Sequence, residues 1–120
     1  KVNCSLEKYS NVYLLKPLDY PYLVYLMKHA KLILTDSGGI QEEAPSFGCP
    51  TLVMRYETER QEGIIAGVSV LVGAEYDKIV SLSSEILDKT RQDSRLQAAN
   101  PYGKGDSAKI IEGLIREYFA

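Results

Sequence analysis

The sequence predicts an α/β domain built on a doubly wound parallel sheet. Two observations carry this expectation. Short apolar runs alternate four times with stretches of helical spacing, and the connections between them are short. The runs are also continuous in apolar character, as in Leu32-Ile33-Leu34, which suits parallel strands covered on both faces.

Each element follows from local chemistry. Asn11 to Leu15 is an apolar run closed by Lys16-Pro17 and reads as a buried strand. From Tyr22 to His29 the apolar residues recur at helical spacing, with Pro21 suited to a first helical turn. Lys31 to Thr35 is the second strand, and Asp36-Ser37-Gly38-Gly39 leads from it into a helix over Ile40–Phe47. Pro45 and Gly48 keep that helix short. Thr51 to Met54 is the third strand, Gln61 to Ala66 a helix stopped by Gly67, and Val68 to Val72 the fourth strand. Tyr76 to Lys89 places Ile79, Val80, Leu82, Ile86 and Leu87 along one amphipathic helix. Ser94 to Ala99 adds a turn or two. A loop over Asn100–Gly105 then hands over to Asp106, which caps a last helix reaching about Tyr118.

Composition narrows the function classes. The 120 residues suffice for one domain, with 45% hydrophobic and 25% charged residues, the balance of a globular protein. Fourteen Lys and Arg against sixteen Asp and Glu leave no basic excess for a phosphate polymer, so nucleic-acid binding is not expected. Apolar stretches fall far below the roughly 20 residues of a membrane span. Glu7, Lys8 and Lys16 interrupt any signal-peptide core, so no membrane partner is expected. Cys4 and Cys49 have only His29 as a further soft ligand, which argues against a zinc cluster or disulfide framework and for a reducing cytoplasm.

Ligands of open α/β sheets sit at the carboxyl ends of strands, near helix N-termini. Thr35-Asp36-Ser37-Gly38-Gly39-Ile40 lies at such a place. Gly38 and Gly39 let the backbone approach a ligand, free N–H groups of the first turn favour an anion, and Ser37 adds a hydroxyl. A phosphate or pyrophosphate is the natural guest, although a Ser-Gly-Gly junction serves equally as a tight turn capped by Ser37. Glu43 stands one helical turn beyond Gly39, where a carboxylate can accept from both hydroxyls of a ribose. One of Glu42 and Glu43 can instead simply complement the helix dipole, and the spacing favours Glu43 as the contact. Arg60, at the start of the next helix, can reach the same ligand and bind phosphate oxygens bidentately, or remain a surface residue. Cys49 reads as a small filler and His29 as a cap for helix carbonyls.

At these residues the sequence closely resembles a known family. The run Asp36-Ser37-Gly38-Gly39-Ile40-Gln41-Glu42-Glu43-Ala44-Pro45, then Gly48, Pro50, Met54-Arg55 and Thr58-Glu59-Arg60, is similar to the non-hydrolysing UDP-N-acetylglucosamine 2-epimerases. Pro17-Leu18-Asp19-Tyr20, Val24-Tyr25-Leu26-Met27, Asn100-Pro101-Tyr102-Gly103 and Gly105 fit the same pattern. The likeness runs from about Val12 to Leu114. The chain departs from it at Cys49, where the family usually has Lys, at Gln61, where it has Pro, and at Leu23, where it often has an aromatic that stacks on uracil.

The resemblance implies a Rossmann-like doubly wound sheet, the C-terminal half of a glycosyltransferase-B-like two-domain fold. Residues 1–120 would form a partial UDP-binding domain lacking its opening strands. Ser37, Gly38 and Gly39 would hold the diphosphate, Glu43 the ribose hydroxyls and Arg60 the phosphates. The family interconverts UDP-GlcNAc and UDP-ManNAc by losing UDP and adding it back, without cofactor or metal, and draws its acid/base carboxylates chiefly from the other domain. The expected function is therefore a part of such an epimerase, inactive alone. A stand-alone module that binds UDP or a UDP-sugar without turnover is the alternative. In the doubly wound order 3-2-1-4-5-6, the strands over Val12–Leu15 and Leu32–Thr35 would be third and fourth, without their intervening neighbours. They are expected either to pair directly or to leave an edge through which the chain forms a homo-oligomer.

Overall fold

A computed structural model describes residue 6, residues 8–90 and residues 100–119. Helix α1, Tyr20–His29, follows an extended Asp19 and carries Pro21 in its first turn, where a missing N–H costs no helical hydrogen bond. It buries Met27, and Ala30 leaves it in an extended conformation. His29 caps it as expected, with Nδ1 2.7 Å from the Tyr25 carbonyl oxygen and its ring tilted by 31° against that of Tyr25, the centroids 4.2 Å apart.

Strand β1, Ile33–Thr35, leads through Asp36 and Ser37 into helix α2, Gly38–Glu43. The helix thus begins two residues before the Ile40 start expected from sequence, and from Ala44 to Phe47 it tightens into a 3₁₀ turn. Pro45 explains the change: it has no N–H for the carbonyl four residues back. Gly48, at φ 64°, ends the turn in the left-handed region that glycine enters without strain.

Strand β2, Thr51–Val53, is buried at every residue. Helix α3, Gln61–Ile65, strand β3, Ser69–Leu71, helix α4, Tyr76–Thr90, and helix α5, Ser107–Phe119, complete the described elements. The sheet is parallel, in the order β1-β2-β3. Its register places Ile33, Thr51 and Ser69 in one row and Thr35, Val53 and Leu71 in another. The core lies around the central strand: Leu52, Val53, Val68 and Val72 from the β2–β3 region, with Met27, Ala44 and Cys49 above and around them. Cys49 is the expected filler, its thiol 3.5 Å from the Ala30 carbonyl oxygen.

The expectation for Asn11–Leu15 needs correction. No strand forms there, and Tyr13, Leu14 and Leu15 are exposed. A strand exists only where a neighbour takes its backbone hydrogen bonds. Among the described residues β1 is the sheet edge, so the two runs do not pair directly. The expected turn over Ser94–Ala99 lies outside the described residues. Helix α5 forms where the last helix is expected but buries none of its residues.

Candidate functional site

The site forms at the carboxyl end of β1. The Ser37 N–H donates to Thr35 Oγ1 at 3.0 Å, which fixes the turn out of the strand. The Ser37 hydroxyl caps α2, accepting from the Ile40 N–H at 3.5 Å. A Cβ added to Gly39 would stand 3.8 Å from Glu43 Oε1 and 3.9 Å from Ser37 Oγ. Those two oxygens therefore converge on one small patch of helix surface.

Gly38 has a different neighbour. A Cβ there would meet Arg60 Cζ at 3.0 Å and Nη2 at 3.2 Å, so the glycine admits the guanidinium against the backbone at the start of α2. Arg60 arrives from the loop after β2, at the N-terminus of α3. Its Nε donates to Glu42 Oε1 at 2.8 Å, and its Nη1 pairs with Glu59. The hydrogen bond to Glu42, foremost, pushes the guanidinium pKa above its ordinary value. The carboxyl of Glu59 is held below its ordinary range by its backbone hydrogen bond, then by Arg60 and Arg55.

Beneath these exposed charges lies a buried relay. Thr58 Oγ1 donates to Gln41 Oε1 at 2.8 Å and accepts from the Arg60 N–H at 3.1 Å. Gln41 is 1% exposed, so the relay ties the interior face of α2 to the backbone of Arg60. On the other side of α2, Tyr20 donates from its hydroxyl to Glu43 Oε2 at 2.8 Å. That bond raises the phenol pKa, chiefly because the ionised phenol would lose the carboxylate as acceptor.

The Asn100–Gly105 loop closes a third side. Asn100 Nδ2 donates to Ser46 Oγ at 2.8 Å, and the Tyr102 N–H donates to Asn100 Oδ1 at 3.0 Å. The Tyr102 hydroxyl accepts from the Gly63 N–H at 3.1 Å and donates to the Arg60 carbonyl at 3.4 Å. Burial is the main cause of its raised phenol pKa. An open cleft of about 580 Å³ lies between this loop and the Glu42–Ser46 stretch. Among the described residues, no group of three His, Cys, Asp or Glu is placed to hold a metal ion, and no helix is long and apolar enough to cross a membrane.

The sequence profile of the family described as UDP-N-acetylglucosamine 2-epimerase matches residues 1–116. The chain belongs to this family. A UDP-N-acetylglucosamine 2-epimerase from Yersinia pestis is 52% identical over 118 residues, covering 98% of this chain and 31% of the relative. The Escherichia coli K12 enzyme of the same name is 49% identical over 115 residues, covering 94% and 31%. The chain thus spans about a third of the length of these relatives.

Solved epimerase structures agree. One from Listeria monocytogenes, a putative family member by its description, superposes with a TM-score of 0.87 at 39% identity over 98% of this chain and 32% of its own. The Neisseria meningitidis UDP-GlcNAc 2-epimerase bound to UDP-GlcNAc gives 0.84 at 40% identity, over 97% and 32%. The Methanocaldococcus jannaschii enzyme in complex with UDP-GlcNAc and UDP gives 0.81 at 32%, over 95% and 30%. The α/β sheet described above is therefore part of the glycosyltransferase-B-like epimerase fold.

Against this family background, all five residues singled out in the sequence meet at one place. Ser37 caps α2, Gly38 and Gly39 open it, Glu43 closes it, and Arg60 lies over Gly38. Glu42, which sequence spacing offered as a dipole partner, instead pairs with Arg60. Tyr20, Gln41, Thr58 and Tyr102 escaped notice as site residues. Their partners lie 17 to 42 positions away, and no local pattern encodes such pairings. The Asn100-Pro101-Tyr102-Gly103 run was the one available signal for Tyr102.

Proposed function

We propose that residues 1–120 are a partial C-terminal, UDP-binding domain of an enzyme that interconverts UDP-GlcNAc and UDP-ManNAc. One observation carries the reading: Ser37, Gly38, Gly39, Glu43 and Arg60 converge at the carboxyl end of β1 in a chain of this family. The ligands named for the Neisseria and Methanocaldococcus enzymes support the substrate class.

In this reading the first N–H groups of α2 and the Ser37 hydroxyl take the diphosphate. Arg60 supplies charge-assisted hydrogen bonds to phosphate oxygens, and Glu43 accepts from the ribose hydroxyls. The whole enzyme breaks the C1–O bond to release UDP as the proton leaves C2, then adds UDP back with the proton returned to the opposite face. Inversion at C2 by elimination and re-addition moves a proton and not a hydride, so this route asks nothing of a nicotinamide. Groups that grip UDP act where negative charge develops on the leaving oxygen, and there they lower the barrier. Moving the C2 proton needs a separate acid/base carboxylate, which the family resemblance assigns to the other domain. This chain alone binds without turnover.

The reading extends to a cytoplasmic enzyme supplying ManNAc units for cell-surface polysaccharide. It includes a homo-oligomer formed through the edge of β1, where Leu34 is 42% exposed. Light scattering on the chain tests the last point, and a monomer at high concentration would contradict it.

The main test is incubation of the chain with UDP-GlcNAc in deuterated water. Saturable binding without deuterium at C2 is the expected result. Robust exchange would overturn the assignment of proton transfer to residues outside this chain, and absence of binding would overturn the site.

A further inference from the structure

We infer that Tyr20 is a positioning residue that holds Glu43 in the orientation needed to read the ribose hydroxyls. The inference rests on the reading of Glu43 as the ribose contact and extends it to a second residue. Its basis is a single well-formed hydrogen bond between distant parts of the chain. Tyr20 opens α1, Glu43 closes α2, and the phenol donates across 2.8 Å to Oε2.

A glutamate at the end of a short helix has three side-chain torsions to settle, and its terminal torsion is broad. Anchoring one oxygen removes that freedom. With Oε2 held by Tyr20, Oε1 is the oxygen directed to the Gly39 face that it shares with Ser37 Oγ. Each carboxylate oxygen has two lone pairs, so Oε2 keeps one acceptor position beside the tyrosine. The phenol thus fixes the plane of the carboxylate without exhausting its capacity to accept from a vicinal diol. A neutral hydroxyl suits this task, because it donates without cancelling the negative charge that strengthens hydrogen bonds from the ligand.

The location of the ring separates this role from packing. Tyr20 is 61% exposed and contributes no buried side chain to the core. Replacing it by Phe removes the donor and leaves the ring. Pro21 and the extended Asp19 fix the start of α1 independently of the phenol. The substitution therefore releases Glu43 while the fold stays intact.

The test compares UDP with 2′,3′-dideoxy-UDP by calorimetry on the full chain and its variants. Wild type is expected to prefer UDP. Tyr20→Phe is expected to lose about 3- to 10-fold in UDP affinity, the scale of one ligand hydrogen bond, with the dideoxy compound and the melting temperature unchanged. Glu43→Gln is expected to lose the same preference more fully, and Tyr20→Phe/Glu43→Gln to bind UDP no more weakly than Glu43→Gln alone, because the tyrosine acts through the carboxylate. If Glu43→Gln abolishes the preference and Tyr20→Phe keeps it, the positioning role is refuted and the ribose contact stands. If Glu43→Gln leaves the preference intact, or wild type shows none, the ribose reading fails and the role of Tyr20 fails with it. Additive losses in the double variant would likewise overturn action through Glu43.

Discussion

The contact between Tyr102 and Gly63 makes a sharp energetic prediction. Helix α3 has no side-chain cap, since Arg60 at its N-cap offers no acceptor. The N–H of Gly63, in the first turn, would lack a partner within the helix. The Tyr102 hydroxyl supplies one at 3.1 Å and reaches on to the Arg60 carbonyl. Gly63 is buried, so Tyr102→Phe strands its N–H, at a cost of about 1–3 kcal/mol. A methyl at position 63 would lie 2.7 Å from the same hydroxyl and 3.3 Å from Ser69 Oγ. Gly63→Ala must therefore push the phenol away. It loses the same hydrogen bond and meets an overpacking cost of about 1–3 kcal/mol, offset by about 1 kcal/mol of helix propensity.

The two substitutions share one loss, so they cannot add. In Gly63→Ala/Tyr102→Phe the hydroxyl is gone and the methyl faces Cζ at 3.5 Å, an ordinary contact. The double variant should be less destabilised than the sum of the singles by about 1–2 kcal/mol. Urea denaturation of the four proteins measures this coupling. Additivity within about 0.5 kcal/mol would refute the claim that this contact holds the Asn100–Gly105 loop against Arg60.

Three further outcomes follow from the site. Arg60→Ala should weaken UDP about tenfold or more and uridine hardly at all, measured by calorimetry, because in the proposed site only the diphosphate would draw on its donors. Gly38→Ala should leave the fold in place, since this glycine is helical, yet reduce UDP affinity, because the methyl would stand 3.0 Å from the Arg60 guanidinium carbon; unchanged binding would argue against a guanidinium seated on Gly38. Glu59 has a lowered pKa, so its contribution to stability is present above its ordinary value of 4.5 and is lost as pH falls through the lowered one. The melting-temperature difference between wild type and Glu59→Gln should accordingly hold steady down to about pH 5 and shrink only in stronger acid.

The three strands were legible in sequence because each is a short apolar run bounded by turn residues, as at Thr51–Val53 between Pro50 and the polar loop of Glu57 and Thr58. The same signal misled at Asn11–Leu15. Apolar character reports a tendency to be buried, whereas a strand also requires a partner edge, and no described strand offers one there. Pro45 announced a short helix but not its conversion to a 3₁₀ turn. Ser37, Gly38, Gly39 and Glu43 could be read together because they lie on one strand–helix junction. Arg60 could be read as a candidate, but its seat over Gly38 could not, since a missing Cβ acquires meaning only once the loop after β2 has folded back. Tyr20 and Tyr102 belong to the same class: each meets its partner through tertiary packing across 23 to 42 residues.

The most direct test is a calorimetric titration of the folded chain with UDP and, separately, with uridine. One UDP per chain, bound at least tenfold more tightly than the nucleoside, is the predicted result, because the proposed site directs the backbone amides of α2, Ser37 and Arg60 at the phosphates. Equal affinities for the two, or no heat with UDP from a chain that unfolds cooperatively, would contradict the account.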